Sequence, residues 1–541
     1  MNKKLLLFVS LFLASTFAFS GGLVINTNQS TSWTRMLVRD ASIGIDAVFY
    51  NPAGLTKLSD GFHFSISNQT LFQKKDITST FPYLNNLNDP NFPGSTTVPI
   101  YPGVYGVYKK DKIALSFGFN PIGGGGTAKY DNGIPSLEIP FASLVPALSS
   151  MGVTGYNMNM AFEGSSVYFG LQAGVTYEIN DMLSVYLGGR YIIAKNTYQG
   201  SVENITVTTP SVDLAPGTYV NGFGDQAAGG AAAIQPIIDG GGAAYTFAQL
   251  EGAGFITAAQ RAQLEGGLLA FGSTQAEIDA MSAAVAQGTY SATAQYLYGQ
   301  AAYLNVVTAN QKADIVQKGN GFTPIIGANL TFLEGKLNIG LKYEFLTKMD
   351  LEDEVADENG VELGFVNGTV SGTLTPTYMF NDGDKTNADI PAFLSVGAAY
   401  QATDKLNVTV GFHTYFDEKA GWATDNNGNA TVDGNFIEYG LGLEYAFTEK
   451  LLLSAGYLGT KTSATDYYQD DFSYSLNTNS LGAGGVYKLN DVLALQFGAF
   501  YTKYNDATFD KVNAGIPYTE TYTKNTWALS VGIDISLGGK K

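Results

Sequence analysis

Two histidines, His63 and His413, are the only imidazoles in 541 residues, and there is no cysteine. A hydrolytic relay needs a histidine within hydrogen-bonding reach of a serine or carboxylate partner, and neither histidine sits in a motif that supplies one. Without thiols the chain forms no disulfide framework, thiolate zinc site, iron–sulfur cluster or cysteine nucleophile, and two imidazoles leave little for a histidine metal cluster. The acidic run Asp350, Glu352, Asp353, Glu354, Asp357 and Glu358 could attract divalent cations, but it lacks the glycine and ligand spacing of a calcium loop, so a solvated loop is expected. Asp425-Asn426-Asn427-Gly428-Asn429 reads as a turn. The expectation is a protein that is not an enzyme and carries no cofactor or metal.

Charge is sparse and acidic. Charged residues make up 14% of the chain, with 48 acidic against 30 basic and a net charge of -18, whereas an ordinary soluble chain carries about 25% charged residues. Nucleic-acid binding is disfavoured, because a phosphate backbone is held by a concentrated basic surface. The chain is rich in glycine (64), tyrosine (33) and phenylalanine (33). Its length would suit about three or four soluble domains, yet a single large β-barrel absorbs it equally well. After the first twenty residues no long uncharged apolar run occurs, which argues against helical membrane spans.

The start of the chain gives an address. Lys3 and Lys4, the apolar stretch Leu5 to Leu13, and the small residues Ala18 and Ser20 before Gly21 have the three-part layout of a secretory signal peptide over residues 1–20. The alternative, a retained anchor, is disfavoured by the shortness of the apolar run. No cysteine follows, so a lipoprotein anchor is excluded.

From Phe62 onward, stretches of alternating residues recur between turns. Ile437, Tyr439, Leu441, Leu443, Tyr445 and Phe447 alternate with Glu438, Gly440, Gly442, Glu444 and Ala446. A strand with one wholly apolar face and one small or charged face separates lipid from a polar lumen. Trp527, Leu529, Val531, Ile533, Ile535 and Leu537 repeat the rule near the end. A β-sandwich would alternate too, but its connections would not fall into two length classes. Here six tight polar turns (109–112, 178–181, 333–336, 403–405, 448–450 and 489–491) alternate with long, unequal loops. The pattern predicts an all-β fold, a 14-stranded antiparallel transmembrane β-barrel. Its strands are expected near 61–75, 98–108, 112–121, 165–178, 183–198, 323–333, 337–350, 389–401, 405–418, 435–447, 451–463, 479–488, 492–505 and 525–538, with both chain ends on the periplasmic side. Strands 2 and 12 show the pattern least clearly, being interrupted by Pro102 and Gly103 and by Gly482, Gly484 and Gly485.

So many strands enclose a lumen too wide for wall side chains to fill, so it holds water or a plug. Residues 21–60 precede the first strand, alternate poorly, and carry Leu23, Ile25, Leu37, Ile43, Ile45, Val48 and Phe49. They suit a plug at the periplasmic mouth; the alternative is a loosely ordered extension.

Arg39 to Leu55, with Asn51-Pro52-Ala53 at its core just before the first strand, resembles the N-terminal hatch of the FadL-type long-chain fatty acid and aromatic hydrocarbon transporters of Gram-negative outer membranes. The resemblance implies a monomeric outer-membrane barrel in which hydrophobic small molecules are captured at the outer loops. They would pass into the lumen and leave sideways through a wall gap at a kinked third strand. The third strand here, Ile113 to Asn120, meets Pro121-Ile122-Gly123-Gly124-Gly125-Gly126. Proline cannot donate to the ladder and consecutive glycines remove packing, so Asn120, Pro121, Gly123 and Gly124 are the expected kink. Alternatively the strand ends there.

Two features depart from the pattern. Loop 3, over 199–322, exceeds what a connection needs. Thr257 with Gln260 and Thr274 with Glu277 fit capping boxes, predicting short helices between 246 and 318. Phe255, Leu264, Leu268, Phe271, Met281 and Tyr296 would form an outer capture surface or else pack on one another. At the C-terminus, Leu537-Gly538-Gly539-Lys540-Lys541 stands where such barrels commonly carry an aromatic residue.

Face assignment points Arg190 and Lys342 inward, where they could hold a fatty acid head group. Glu344, Glu438 and Glu444 also face inward, so internal ion pairs are the competing role. His413 falls on the lumen face beside Thr409 and Tyr415, and His63 near the base of the first strand. The expected function is passive uptake of hydrophobic molecules, most of all long-chain fatty acids, by a barrel surrounded by outer-membrane lipid and lipopolysaccharide. An open porin for polar solutes would instead keep residues 21–60 out of the lumen, and a surface-binding barrel would act through loop 3.

Overall fold

Once a strand with one apolar face pairs with another, closure into a ring is the arrangement that leaves no backbone edge unpaired in lipid. The computed structural model describes residues 26–358, 361–370, 372–425 and 427–538. The expected signal peptide (residues 1–20), Leu23, Ile25, Asn426 and the residues after Gly538 lie outside them. Fourteen strands form the wall: β1 Gly61–Ser79, β2 Asn91–Lys110, β3 Ile113–Tyr130, β4 Gly155–Asn180, β5 Leu183–Thr208, β6 Gln311–Phe332, β7 Leu337–Glu344, β8 Phe393–Gln401, β9 Leu406–Tyr415, β10 Phe436–Ala446, β11 Leu451–Lys461, β12 Thr478–Lys488, β13 Leu493–Tyr504 and β14 Ile516–Gly538. Each is antiparallel to its sequence neighbour, and β14 pairs back onto β1 from Gly61↔Gly538 to Ser79↔Glu520, closing the ring.

Tyr439, Leu441, Leu443 and Tyr445 on β10 and Trp527, Leu529, Val531 and Ile533 on β14 stand exposed on the outside. An apolar band of this extent is costly in water and favourable in lipid. Aromatic pairs mark its two rims along β1: Phe62 with Tyr108, centroids 4.6 Å apart, at the short-turn end, and Phe72 with Trp527, 4.2 Å apart, above. The interval from 62 to 72 matches the roughly ten residues a tilted strand needs to cross a bilayer. Among the described residues no helix is long and apolar enough to cross a membrane.

The six short turns lie where the alternation places them, but several strands run on past the membrane. β4 and β5 have 26 residues each, against expected spans of 165–178 and 183–198. Beyond the lipid no apolar face is required, so alternation fades while backbone pairing continues. The line of β7 likewise resumes at Asp350–Val355, which pairs with both β6 and Lys385–Asn387. The acidic run is therefore in part a strand: Glu354 pairs with Lys318 at 2.5 Å and Glu352 with Lys385 at 3.1 Å. Asp425 accepts the backbone N–H groups of Asn427 and Asn429, each at 2.8 Å, as in a turn.

The connection between β5 and β6 is helical over Pro216–Ile237, Phe247–Gly252, Ala258–Ala270, Gln275–Ala280 and Ala283–Val307. Capping boxes form at Thr257 and Thr274 as their spacing predicts, and a third at Thr246. Two boundaries differ from expectation. Residues 311–318 belong to β6, and Pro216–Ile237 is a helix that its glycines concealed: Gly224 and Gly230 are where the rings of Tyr298 and Tyr290 dock from Ala283–Val307.

Candidate functional site: the plugged lumen and its wall gap

Residues 26–60 turn inward from the short-turn end of the barrel, as two short helices, Ser30–Thr34 and Ala47–Tyr50, and a 3-10 segment, Pro52–Lys57. Such short elements leave many backbone carbonyls without partners, and wall side chains supply them. Gln172 donates to Val48 O at 2.6 Å, Lys342 to Phe49 O at 2.7 Å, and Thr176 to Pro52 O at 2.7 Å. Ser184 donates to Ala53 O at 2.6 Å and Asn338 to Ala41 O at 2.9 Å. Asn51, fully buried, donates through Nδ2 to Ser42 O at 3.0 Å and to Asn329 Oδ1 at 2.7 Å. Pro52 and Ala53 are buried beside it.

Ion pairs fasten the same segment. Arg35 reaches Glu444 at 2.6 Å, and Arg39 holds Asp46 through Nε at 2.6 Å and Nη2 at 3.0 Å. Asp40 contacts His413 Nε2 at 2.5 Å, while His413 Nδ1 faces Glu438 at 2.7 Å. Ser395 donates to Asp40 at 2.8 Å, and no hydrogen bond joins it to His413. The cluster thus ties Asp40 of the plug to β8, β9 and β10. His63 meets Ser59 O at 2.8 Å and Ser536 Oγ at 3.0 Å at the barrel base.

The feature that sequence reasoning missed is a girdle of inward glycines. The space a Cβ would take is occupied by Met36 at Gly442 and Gly456, by Asp40 at Gly340, Gly397 and Gly411, by Thr34 at Gly482 and by Arg35 at Gly498. Glycine on the lumen face of seven successive strands lets the plug backbone lie directly against the wall. Of the glycines that blur strand 12, Gly482 and Gly484 belong to this girdle, while Gly485 meets Phe497 and Leu453 instead; the recurrence of glycine at one depth was the available signal.

Opposite the girdle the wall is broken. β2 and β3 pair from Val104↔Phe119 to Lys110↔Ile113 and again only at Thr96↔Ala128 and Ser95↔Lys129. Between these, 97–103 and 120–127 face each other without a ladder. β3 does not end at Pro121; it continues to Tyr130, bonded to β4 through register shifts at Pro121/Gly123 and Gly124/Gly126. Gly124 and Gly126 both have φ of 82°, a conformation that other residues rarely adopt. The first described residues of the plug fill the breach. Asn26 N donates to Ile122 O at 2.8 Å, its side chain to Gly124 O, and Gln29 Nε2 to Pro121 O at 2.5 Å.

A cavity of about 440 Å³ lies on the outer side of the plug, floored by Trp33 and reaching the breach at Val98, Gly124 and Gly125. A second, of about 380 Å³, opens on the inner side between Ile43, Gly44, Lys336 and Lys405. The plug separates them.

No protein-family model matches the sequence, and no curated protein matches it. Among solved structures, a FadL homologue from Pseudomonas aeruginosa aligns over 95% of this chain and 99% of its own, at 14% identity and a TM-score of 0.52. A deletion mutant of the monoaromatic hydrocarbon channel TodX aligns over 94% and 98%, at 12% identity and a TM-score of 0.50.

The fold is that of the FadL-type barrels.

Within this FadL-type fold, several expected site residues have other partners. Arg190 forms a two-pronged pair with Glu344 at 2.6 and 3.0 Å and a bond to Gln172 at 2.8 Å; Lys342 meets Glu344 at 2.8 Å. Both cations are buried against Phe49 and neither lines either cavity. Their counter-charge is Glu344, which corrects the head-group assignment in favour of internal pairing. Leu264 and Leu268 are buried in the core of the helical loop, and Phe271 packs edge-on to Tyr290, so these three do not present a capture surface. Phe255 is exposed, beside Tyr245.

Proposed function

We propose that this chain is a passive outer-membrane channel for hydrophobic small molecules, with long-chain fatty acids as its principal substrates. A molecule enters from the loop side into the outer cavity, is stopped by residues 26–60 acting as a hatch, and leaves sideways between β2 and β3. The observation that carries this reading is the missing ladder between 97–103 and 120–127, bordering the outer cavity. An unpaired stretch of wall at membrane depth is tolerated only where other groups satisfy its backbone, and Asn26 and Gln29 do so here. When they withdraw, the breach connects cavity and lipid. In this reading Asn51, Pro52 and Ala53 anchor the hatch, and Asn120, Pro121, Gly123 and Gly124 keep the exit open. The two similar structures are a monoaromatic hydrocarbon channel and a FadL homologue, in keeping with an apolar cargo. An open porin is disfavoured because residues 30–56 lie almost wholly buried within the lumen.

The test is uptake of labelled oleate and labelled toluene by cells carrying the protein against cells carrying an empty vector. Oleate accumulation that depends on the protein supports the reading, toluene alone moves it to aromatic hydrocarbons, and neither refutes it.

A further inference from the structure

Lys75 and Lys524 are direct cross-strand partners on β1 and β14. Both point into the outer cavity, three residues above the aromatic rim at Phe72 and Trp527. Like charges placed directly opposite in a sheet repel and destabilise it. Such a pair is ordinarily relieved by a carboxylate, and among the described residues no hydrogen bond or ion pair reaches either ammonium. Each instead stands over a tyrosine face of the cavity wall, Lys75 at 5.3 Å from the Tyr474 ring and Lys524 at 4.7 Å from the Tyr504 ring.

The carboxylates of the same cavity are already committed. Asp471 accepts from Ser136 N and Ser136 Oγ, both at 2.6 Å, and Asp470 accepts Ser473 N at 2.6 Å. Glu438 is taken by His413 and by Tyr415 at 3.0 Å. The cavity therefore presents two half-buried lysines that face each other without a counter-ion, and burial, with Lys524 adding to it at Lys75, lowers Lys75 to about 7 and Lys524 to about 8. Below the lysines, past Gln73 and Thr526, Leu71 and Phe500 lead to Trp33 and, toward the breach, Val98. One molecule satisfies both ends: an anionic head between the ammonium groups and an apolar tail lying down toward the hatch.

We propose that Lys75 and Lys524 form the head-group site for an apolar monocarboxylate in the outer cavity, so that the channel selects anionic amphiphiles over neutral hydrocarbons of the same length. This deepens the channel reading above and rests on it. The carboxylate would receive charge-assisted hydrogen bonds from both strands, bridging the seam where the ring closes.

The test compares equilibrium binding of octanoate and 1-octanol to the purified full chain in detergent. Lys75→Met with Lys524→Met removes both charges and keeps the side-chain length. Lys75→Glu creates a cross-strand pair with Lys524 that relieves the repulsion, so it stays folded if the double variant does not. The expected result is that either variant weakens octanoate at least tenfold and leaves 1-octanol within about twofold. Equal loss for the two probes, or unchanged octanoate binding, overturns the head-group site while leaving the channel reading intact. Failure of the unaltered protein to bind either probe overturns both.

Discussion

Glu444→Gln should loosen the hatch without opening the barrel. Glu444 accepts Arg35 Nη1 at 2.6 Å and Arg39 Nη1 at 3.4 Å through one oxygen, and all three side chains are largely buried. Arg39 keeps its pair with Asp46, but Arg35 is left with neutral acceptors only, Ser454 Oγ at 2.9 Å and Gln496 Oε1 at 3.4 Å. Breaking a buried pair by neutralising one partner costs about 3–5 kcal/mol, and because the amide still accepts a hydrogen bond the lower end applies, about 3 kcal/mol. That raises the population of released hatch roughly a hundredfold. Trp33 reports it directly, since it packs edge-on to Phe500 with centroids 5.4 Å apart. The chain has three tryptophans, so Trp422→Phe and Trp527→Phe leave Trp33 as the only indole. Urea titration of its emission, with barrel integrity followed by heat-modifiable gel mobility, should show the hatch transition moving to lower urea while the barrel stays folded. An unchanged midpoint with an intact barrel would refute the claim that this ion pair holds the hatch.

Gly456→Val places a branched side chain where Met36 backbone lies, and overpacking of this kind costs about 1–3 kcal/mol or more; limited proteolysis should cut within residues 26–60 in the variant and spare them in the parent. A Cβ added at Gly125 would meet nothing within 4 Å, and the residue borders the outer cavity, so Gly125→Cys should transport normally in this cysteine-free chain, whereas maleimide labelling there should depress uptake of hydrophobic cargo. On the loop side, burial, with Asp471 adding to it, pushes Asp470 up to about 8, and burial pushes Asp417 up to about 7. Both carboxyls hold protons in the folded loops that they release when unfolded, so loop stability should fall as pH rises from about 4 to about 8 and level off above that. Trp422, which lies near Tyr468, gives the readout: its urea midpoint should be higher at pH 5 than at pH 8.5, and Asp470→Asn should reduce the difference.

How much was legible in advance follows from what each part of the chain must satisfy. Lipid on one side of a strand imposes a two-residue period, and residues 437–447 and 527–537 carry it, so the strand number, the short turns and the inward face of Glu438 and Glu444 could be read from residue types alone. The same logic singled out Pro121 to Gly124, as a kink or as the end of the strand, because a missing donor and missing side chains are properties of those residues themselves. Outside the membrane the period has no cause, which is why β4 and β5 extend farther than alternation shows and why the helix Pro216–Ile237 stayed hidden behind its glycines.

Pairings between distant segments were decided only by the tertiary structure. Inward orientation was readable for Arg190 and Lys342, but not that β7 sets Glu344 against both and so pairs them internally. Nor could spacing show that Lys75 and Lys524, 449 positions apart in sequence, become neighbours: that depends on the register in which the last strand closes on the first. The sequence by itself determined which faces meet lipid, since burial in a given solvent is a property of each residue and its period. Only closure of the ring and insertion of the hatch decided which charges find partners inside, because a charge is matched by whatever the fold brings within a few ångströms and not by its neighbours along the chain.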